Sequence, residues 1–277
     1  MRGISLVKRI GLVIIVLITF IAGVLVVCAC LPPPKGIPVL EYHMVSEATD
    51  DESRSYSVPP EEFAKELDYL AAEGYTTISM LDFMKARKGK AELPEKPVIL
   101  TFDDGYEDNY DVLLPMLEER GMKATVYMIT NNIGKKGYLT WDELRDMQER
   151  GIEIGSHTAN HLPLPTLTED QVQDELYLSK LLLEWNGIKT VFTFSYPNGD
   201  YTEAIAARVK NNEYLTAVTG DSGLNTFATD PYQMQRINVS HPHFGILEFR
   251  WRLFKAEIMT RLGIFQHKDK ARESAEG

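Results

Sequence analysis

A chain of 277 residues, 44% hydrophobic and 25% charged, is long enough for one large globular domain or two small ones, so core size does not limit its function. A formal net charge of −11 argues against a nucleic-acid binder, which must assemble a basic face, and against a strongly anionic substrate; a neutral or cationic polymer fits better. The two cysteines, Cys28 and Cys30, both lie near the N-terminus, so no disulfide framework or thiolate site exists downstream and any metal must be held by His, Asp or Glu.

In chain order, Arg2, Lys8 and Arg9 precede an uncharged stretch at 10–31, close to the ~20 residues that span a bilayer as a helix. Residues 1–31 are expected to be a signal anchor or signal peptide, with the basic flank cytoplasmic and the remainder at the membrane's outer side or secreted. Retention as an anchor is preferred; cleavage and lipidation at Cys28 or Cys30 stay open. Pro32, Pro33 and Pro34 make 32–36 a stiff spacer. A domain is expected over 37–265, and a charged, disordered tail over 266–277.

Within the domain, short runs rich in β-branched residues alternate with longer amphipathic segments, the pattern of repeated βα units. Strands are predicted at 38–41, 98–102, 124–129, 152–155, 191–195, 215–219 and 237–240. A helix over 61–73 follows Pro59 and Pro60 and stops at Gly74. Thr140 with Glu143, and Thr168 with Gln171, are capping boxes that open two more. Gly121, Gly151 and Gly187 fall where helices end. The fold class is therefore α/β: about seven parallel strands in a closed or nearly closed barrel, with an open doubly wound sheet as the competing architecture.

Parallel βα folds carry their chemistry at the C-terminal ends of strands. His43, Asp103 with Asp104, His157, Tyr196-Pro197-Asn198-Gly199, Asp221 and His241 each follow a predicted strand, a convergence that scattered surface residues would not show. Taken alone, Asp103-Asp104-Gly105 is equally readable as a solvent-facing turn. Two carboxylates at the end of the buried run Val98-Ile99-Leu100-Thr101-Phe102 are costly unless a cation is present, and a metal compensating one would leave the other as a base. His157 and His161, four residues apart, can converge on one ion where the backbone turns helically. Two His plus a carboxylate is a usual facial set for a catalytic ion with open positions.

Thr101-Phe102-Asp103-Asp104-Gly105-Tyr106, with Ser156-His157-Thr158-Ala159-Asn160-His161 some fifty residues later, resembles the polysaccharide deacetylases, carbohydrate esterase family four. The resemblance implies a distorted (β/α) barrel that removes acetyl groups from a polysaccharide. It implies Asp103 as general base, and Asp104, His157 and His161 as ligands of a divalent metal, zinc or a similar ion. Ser195-Tyr196-Pro197-Asn198-Gly199 matches the family's third motif and assigns the Asn198 backbone amide to the oxyanion. Ser195 stands where many members carry an Arg that braces the base, and no Trp occurs over 216–225, where a fourth motif would fall. The general-acid His is represented by His241, with His243 as rival. Tyr106, Tyr196, Pro197 and His43 are expected to line the substrate site; His43 is equally readable as a structural histidine, and Tyr106, Tyr196 and Tyr201 as packing residues. Glu41-Tyr42-His43 and Arg236-Ile237-Asn238-Val239 are more similar to the poly-β-1,6-N-acetylglucosamine deacetylase branch than to the chitin or peptidoglycan branches. The expected partners are an acetylated polysaccharide and, through the N-terminal segment, a membrane, with no nucleic acid. Peptidoglycan deacetylation, xylan O-acetyl esterase activity and a glycan-binding module that has lost catalysis are the alternatives.

Overall fold

The structure is a computed structural model that describes residues 6–30 and 36–263 and separates into two compact units, Met1–Lys35 and Gly36–Gly277. The first holds helix α1 (Leu6–Cys30). The expected membrane span is not met here: among the described residues no helix is long and apolar enough to cross a membrane. Leu12, Val13, Ile15 and Phe20 of α1 are exposed. Residues 32–35 of the spacer and the tail at 266–277 lie outside the described residues.

The second unit runs β1 (Val39–Tyr42), α2 (Asp51–Arg54), α3 (Pro60–Ala72), β2 (Thr76–Thr77), α4 (Met80–Arg87), β3 (Pro97–Phe102), a π turn leading into α5 (Leu114–Glu118), β4 (Thr125–Met128), α6 (Trp141–Glu149), β5 (Glu153–Ser156), α7 (Glu169–Trp185), β6 (Thr193–Ser195), α8 (Glu203–Asn211), β7 (Thr216–Val218), β8 (Ile237–Asn238) and α9 (Ile246–Arg261). The strand order is β7-β6-β5-β4-β3-β1-β8, every pairing between these strands is parallel, and β2 adds only to the first residues of β3. A parallel bridge joins Val218 to Met234, and three residues later Ile237 pairs with Leu40. This segment thus links the two edges of the sheet, consistent with a distorted barrel and not with an open doubly wound sheet.

All seven predicted strands are present: β4, β6, β7 and β8 are shorter than expected, β1 and β5 are shifted by one residue toward the C-terminus, and β3 begins one residue earlier; β2, two threonines with no readable period, was not foreseen. β1 and β4 are buried at every position, as expected where helices cover a parallel sheet. Capping boxes form at Thr140 and Thr168, and a further one at Ser79 with Asp82 opens α4. Strand alternation separates two apolar clusters. Leu40, Leu100, Phe102, Val126 and Phe194 pack against the helices, whereas Val39, Ile99, Tyr127 and Val218 from four strands face the interior above Met80, Phe83 and Met84 of α4.

α3 also buries a carboxyl. Glu66 is fully enclosed, with the Tyr42 hydroxyl donating to its Oε2 at 2.9 Å and no partner for Oε1 among the described residues. Burial pushes its pKa up to about 8, against the opposing pull of the Tyr42 hydrogen bond and of Arg252. The folded state therefore keeps a proton that the unfolded chain releases near its ordinary value of 4.5. The stability tied to that proton is complete below the unfolded value and is lost as pH rises through the folded one, on the order of 3–5 kcal/mol. Urea denaturation at several pH values between these limits is expected to show stability falling with pH in the wild type and a flatter profile in Glu66→Gln. Equal slopes would refute the assignment.

Candidate active site

Alternation fixes what meets at the barrel's C-terminal rim. Val39 and Ile99 face inward, so Glu41, Thr101 and Asp103 do as well; Thr193, whose hydroxyl meets Tyr127 of the interior cluster, sets the same direction for Ser195. Asp103, 2% exposed, receives both guanidinium terminal nitrogens of Arg236, Nη1 to Oδ1 at 2.9 Å and Nη2 to Oδ2 at 2.8 Å. The Ser195 hydroxyl donates to Oδ2 at 3.1 Å. Arg236 is itself 2% exposed, donates through Nε to the Thr219 carbonyl, and lies 3.4 Å from Glu41. Burial would raise the Asp103 carboxyl, but the Arg236 charge, followed by His157, outweighs it and holds the group well below the usual carboxylate range. A bidentate, buried guanidinium is the strongest such brace available to a carboxylate.

Beside it, the ligand atoms of Asp104, His157 and His161 lie within 4.8 Å of one another. Asp104 Oδ1 is 3.5 Å from His157 Nε2 and 3.6 Å from His161 Nε2, and it is buried with no hydrogen-bond partner among the described residues. An orphaned carboxylate oxygen facing two imidazole nitrogens fits a divalent cation, and the donor set suits zinc. The Ser195 carbonyl, 2.7 Å from His157 Nδ1, can only accept, so Nδ1 carries the proton and Nε2 is the free donor atom. Burial, then the nearby His157, lowers the His161 pKa against the pull of Asp104 and Asp103, favouring the neutral imidazole that binds metal.

The backbone is bent to make this cluster. Asp104, Thr158, His161, Asn198 and His241 have φ of 73°, 67°, 58°, 58° and 53°, five of the six non-glycine residues with positive φ among those described. Each is sparsely populated for an L-residue, and all five sit in loops at strand ends. Gly105 must stay glycine: its φ is 78°, and a Cβ there would lie 1.8 Å from the Met128 sulfur.

A second group, Glu41, His43 and Asp103, also brings its ligand atoms within 4.8 Å of one another. The Arg236 guanidinium is already paired with both of its carboxylates. The group places His43 next to Asp103. His43 Nδ1 is buried without a partner among the described residues, its ring meets Tyr56 at 5.1 Å, and its carbonyl accepts from Asn109 Nδ2.

The other expected residues divide. Asn198 is exposed, in the tight turn Pro197–Gly199, and Tyr106 stacks on Tyr138 at 5.3 Å, its hydroxyl raised in pKa by burial and then by Asp104. Tyr196, expected to line the site, instead lies on the opposite side of its strand from Ser195: it is fully buried, its hydroxyl donates to the Tyr232 carbonyl, and its ring packs on Phe194. Pro197 is buried as well. Tyr201 stacks on Tyr196 and donates to Asp221. The His241 ring meets His243 at 4.2 Å, and no described contact joins it to Asp103. Sequence reasoning missed Arg236 as the brace of Asp103; the available signal was an arginine entering a short apolar strand.

Such a rim, on a parallel barrel, belongs to a hydrolase. The comparisons give the family. The polysaccharide deacetylase family model matches residues 90–217. YxkH of Bacillus subtilis (strain 168), named as a candidate polysaccharide deacetylase, is 35% identical over 207 residues, covering 75% of this chain and 72% of YxkH. The poly-β-1,6-N-acetyl-D-glucosamine N-deacetylase of Staphylococcus epidermidis is 26% identical over 220 residues, covering 74% of this chain and 76% of that protein. The Streptococcus pyogenes deacetylase PplD, solved in complex with acetate, superposes with a TM-score of 0.72 at 26% identity, covering 79% of this chain and 98% of PplD. The chain belongs to the polysaccharide deacetylase family.

Proposed function

We propose that this protein is a metal-dependent N-deacetylase acting on an N-acetylglucosamine polymer outside the cytoplasmic membrane. The observation that carries the reading is the pairing of a carboxylate held ionised by a buried arginine, Asp103, with the partnerless Asp104 oxygen facing two imidazole nitrogens. Asp104, His157 and His161 would hold the ion, zinc by preference, which when bound acidifies a water and polarises the acyl carbonyl. Asp103 takes the proton from the attacking water. Arg236 and Ser195 keep Asp103 oriented and prevent it from relaxing into the protonated form. The Asn198 amide is assigned the developing oxyanion, a role worth about 3–4 kcal/mol in comparable sites.

The departing amine needs a proton, and His43 is better suited to deliver it than His241, because a His43 nitrogen lies beside Asp103 whereas the His241 ring packs on His243. Tyr106 remains a candidate substrate contact. The polymer assignment draws on the name of the staphylococcal relative and on the chain's acidity, which suits a neutral polymer whose product is cationic. The outer location draws on the uncharged run at 10–31 behind Arg2, Lys8 and Arg9, with the segment retained or cleaved.

The test is acetate release from poly-β-1,6-N-acetylglucosamine, peptidoglycan and acetylated xylan, with and without chelator. The first is expected to be the best substrate. Chelation is expected to lower its turnover by ~100-fold or more, since an ion of this kind supplies several kcal/mol, and added zinc should restore it. Faster release from either other polymer would reassign the substrate, and chelator-insensitive release would remove the metal. Metal binding with no release from any polymer would favour a glycan-binding module.

A further inference from the structure

The loop that carries both histidines is held from behind by a residue that touches neither. Glu175 of α7, 5% exposed, accepts from the backbone amides of Ala159 at 2.9 Å and Asn160 at 2.8 Å through a single oxygen, Oε2, and from Asn160 Nδ2 at 2.6 Å through Oε1. The opposite side of the loop is tied to the end of β4: the Thr130 and Asn131 amides donate to the carbonyls of Thr158 and Ala159, and Asn131 Nδ2 donates to Asn160 Oδ1 at 2.7 Å. Between these ties the backbone passes through left-handed φ values at Thr158 and His161. Such conformations persist only where the surroundings over-determine them. α7 is a firm base for the clamp, with Val172, Leu176 and Leu183 in the core and the Ser179 hydroxyl 2.8 Å from that of Ser156, next to His157.

We propose that Glu175 is a positioning residue for the metal site: its carboxylate fixes the 157–161 loop so that the two imidazoles and Asp104 converge on one ion. This rests on the metal-dependent reading above. Only a carboxylate satisfies all three donors. A glutamine side chain has the same shape but one oxygen and no charge: with that oxygen on the two backbone amides its nitrogen meets Asn160 Nδ2 donor against donor unless the Asn160 and Asn131 amides both turn over, and the charge that strengthens all three bonds is lost either way. Glu175→Gln thus loosens the loop while changing little of the packing around α7.

The decisive readout is the affinity for zinc alone, measured on the full chain by competition with a chromophoric chelator, beside the melting temperature of the metal-free protein. Glu175→Gln is expected to weaken zinc binding 10- to 100-fold, the range typical of groups that orient metal ligands. Gln173→Ala, which on the same helix breaks only the amide pair with Asn212 at the end of α8, is expected to leave zinc affinity unchanged. Asn160→Ala, which removes the side-chain bonds to Glu175 and from Asn131 but leaves the two backbone amides on Oε2, is expected to weaken zinc binding in the same direction by less, and it serves if the Gln variant does not fold. Zinc affinity within twofold of wild type in Glu175→Gln, or in Asn160→Ala where only that variant folds, would overturn the proposal. A wild-type chain that binds zinc but releases no acetate would instead overturn the enzymatic reading, with the clamp still supported by a weakened variant.

Discussion

Arg236→Met is expected to lower the deacetylation rate on the order of 100-fold and to remove about 3–5 kcal/mol of stability, because breaking a buried ion pair leaves its partner charged and enclosed. Two carboxylates are affected, since Arg236 faces Glu41 as well as Asp103. Methionine fills much of the volume but supplies no donor, so Asp103 Oδ1 and Oδ2 keep only the Ser195 hydroxyl, and the Thr219 carbonyl loses its bond from Nε. Burial, already the largest influence on Asp103, then acts unopposed by the guanidinium and drives the carboxyl toward its protonated form, which cannot accept a proton from water. Ser195→Ala removes only one neutral hydrogen bond to the same carboxylate and is expected to cost about 1 kcal/mol and a few-fold in rate. Chemical denaturation and steady-state acetate release on the same preparations check both numbers. If Ser195→Ala proved the more damaging, the brace would have to be reassigned to strand β6.

Arg236 also marks where sequence reading stopped. The cluster of Asp104, His157 and His161 was legible because its residues fall in two short motifs, each at the end of a strand that could itself be predicted from a buried β-branched run. The serine at 195 looked like the loss of a brace because the expected arginine is read at that one position. The barrel supplies the charge from the other side, through a residue just before β8 that is distant in sequence and adjacent only because the 234–238 segment links β7 to β1. Tyr196 failed for a simpler reason. Strand alternation sends Ser195 inward and Tyr196 to the helix layer, so a motif position that looked like a sugar contact is a core residue whose hydroxyl ties down Tyr232. His43 and His241 both follow strands and are equivalent in sequence terms; in the structure a His43 ring nitrogen comes within 4.8 Å of an Asp103 carboxylate oxygen, and the His241 ring packs on His243. Glu175 carried no local signal, because its partners are backbone amides in a loop whose left-handed turns no residue type announces.

On the proposed mechanism, Asp103→Asn separates the base from the metal more cleanly than any change at Asp104, His157 or His161. Zinc affinity is expected to stay close to wild type, because the partnerless oxygen and the two imidazoles belong to Asp104, His157 and His161, and Asp103 lies at 3.8 Å from the shared His157 nitrogen. Turnover is expected to fall by about 10²–10⁴, the usual loss when a positioned general base is removed. Asparagine keeps one acceptor for Arg236 but turns an amide nitrogen toward a second donor, so a stability loss of about 1–3 kcal/mol accompanies the change. Because the enclosed charge has gone, adding Arg236→Met to this variant is expected to destabilise it by less than the same change does in the wild type, a coupling a double-mutant cycle reads directly. Acetate release at the wild-type rate from Asp103→Asn with zinc bound would end the assignment of Asp103 as base. Loss of zinc binding in that variant would instead make Asp103 a ligand and leave the base to be sought at Glu41 or His43.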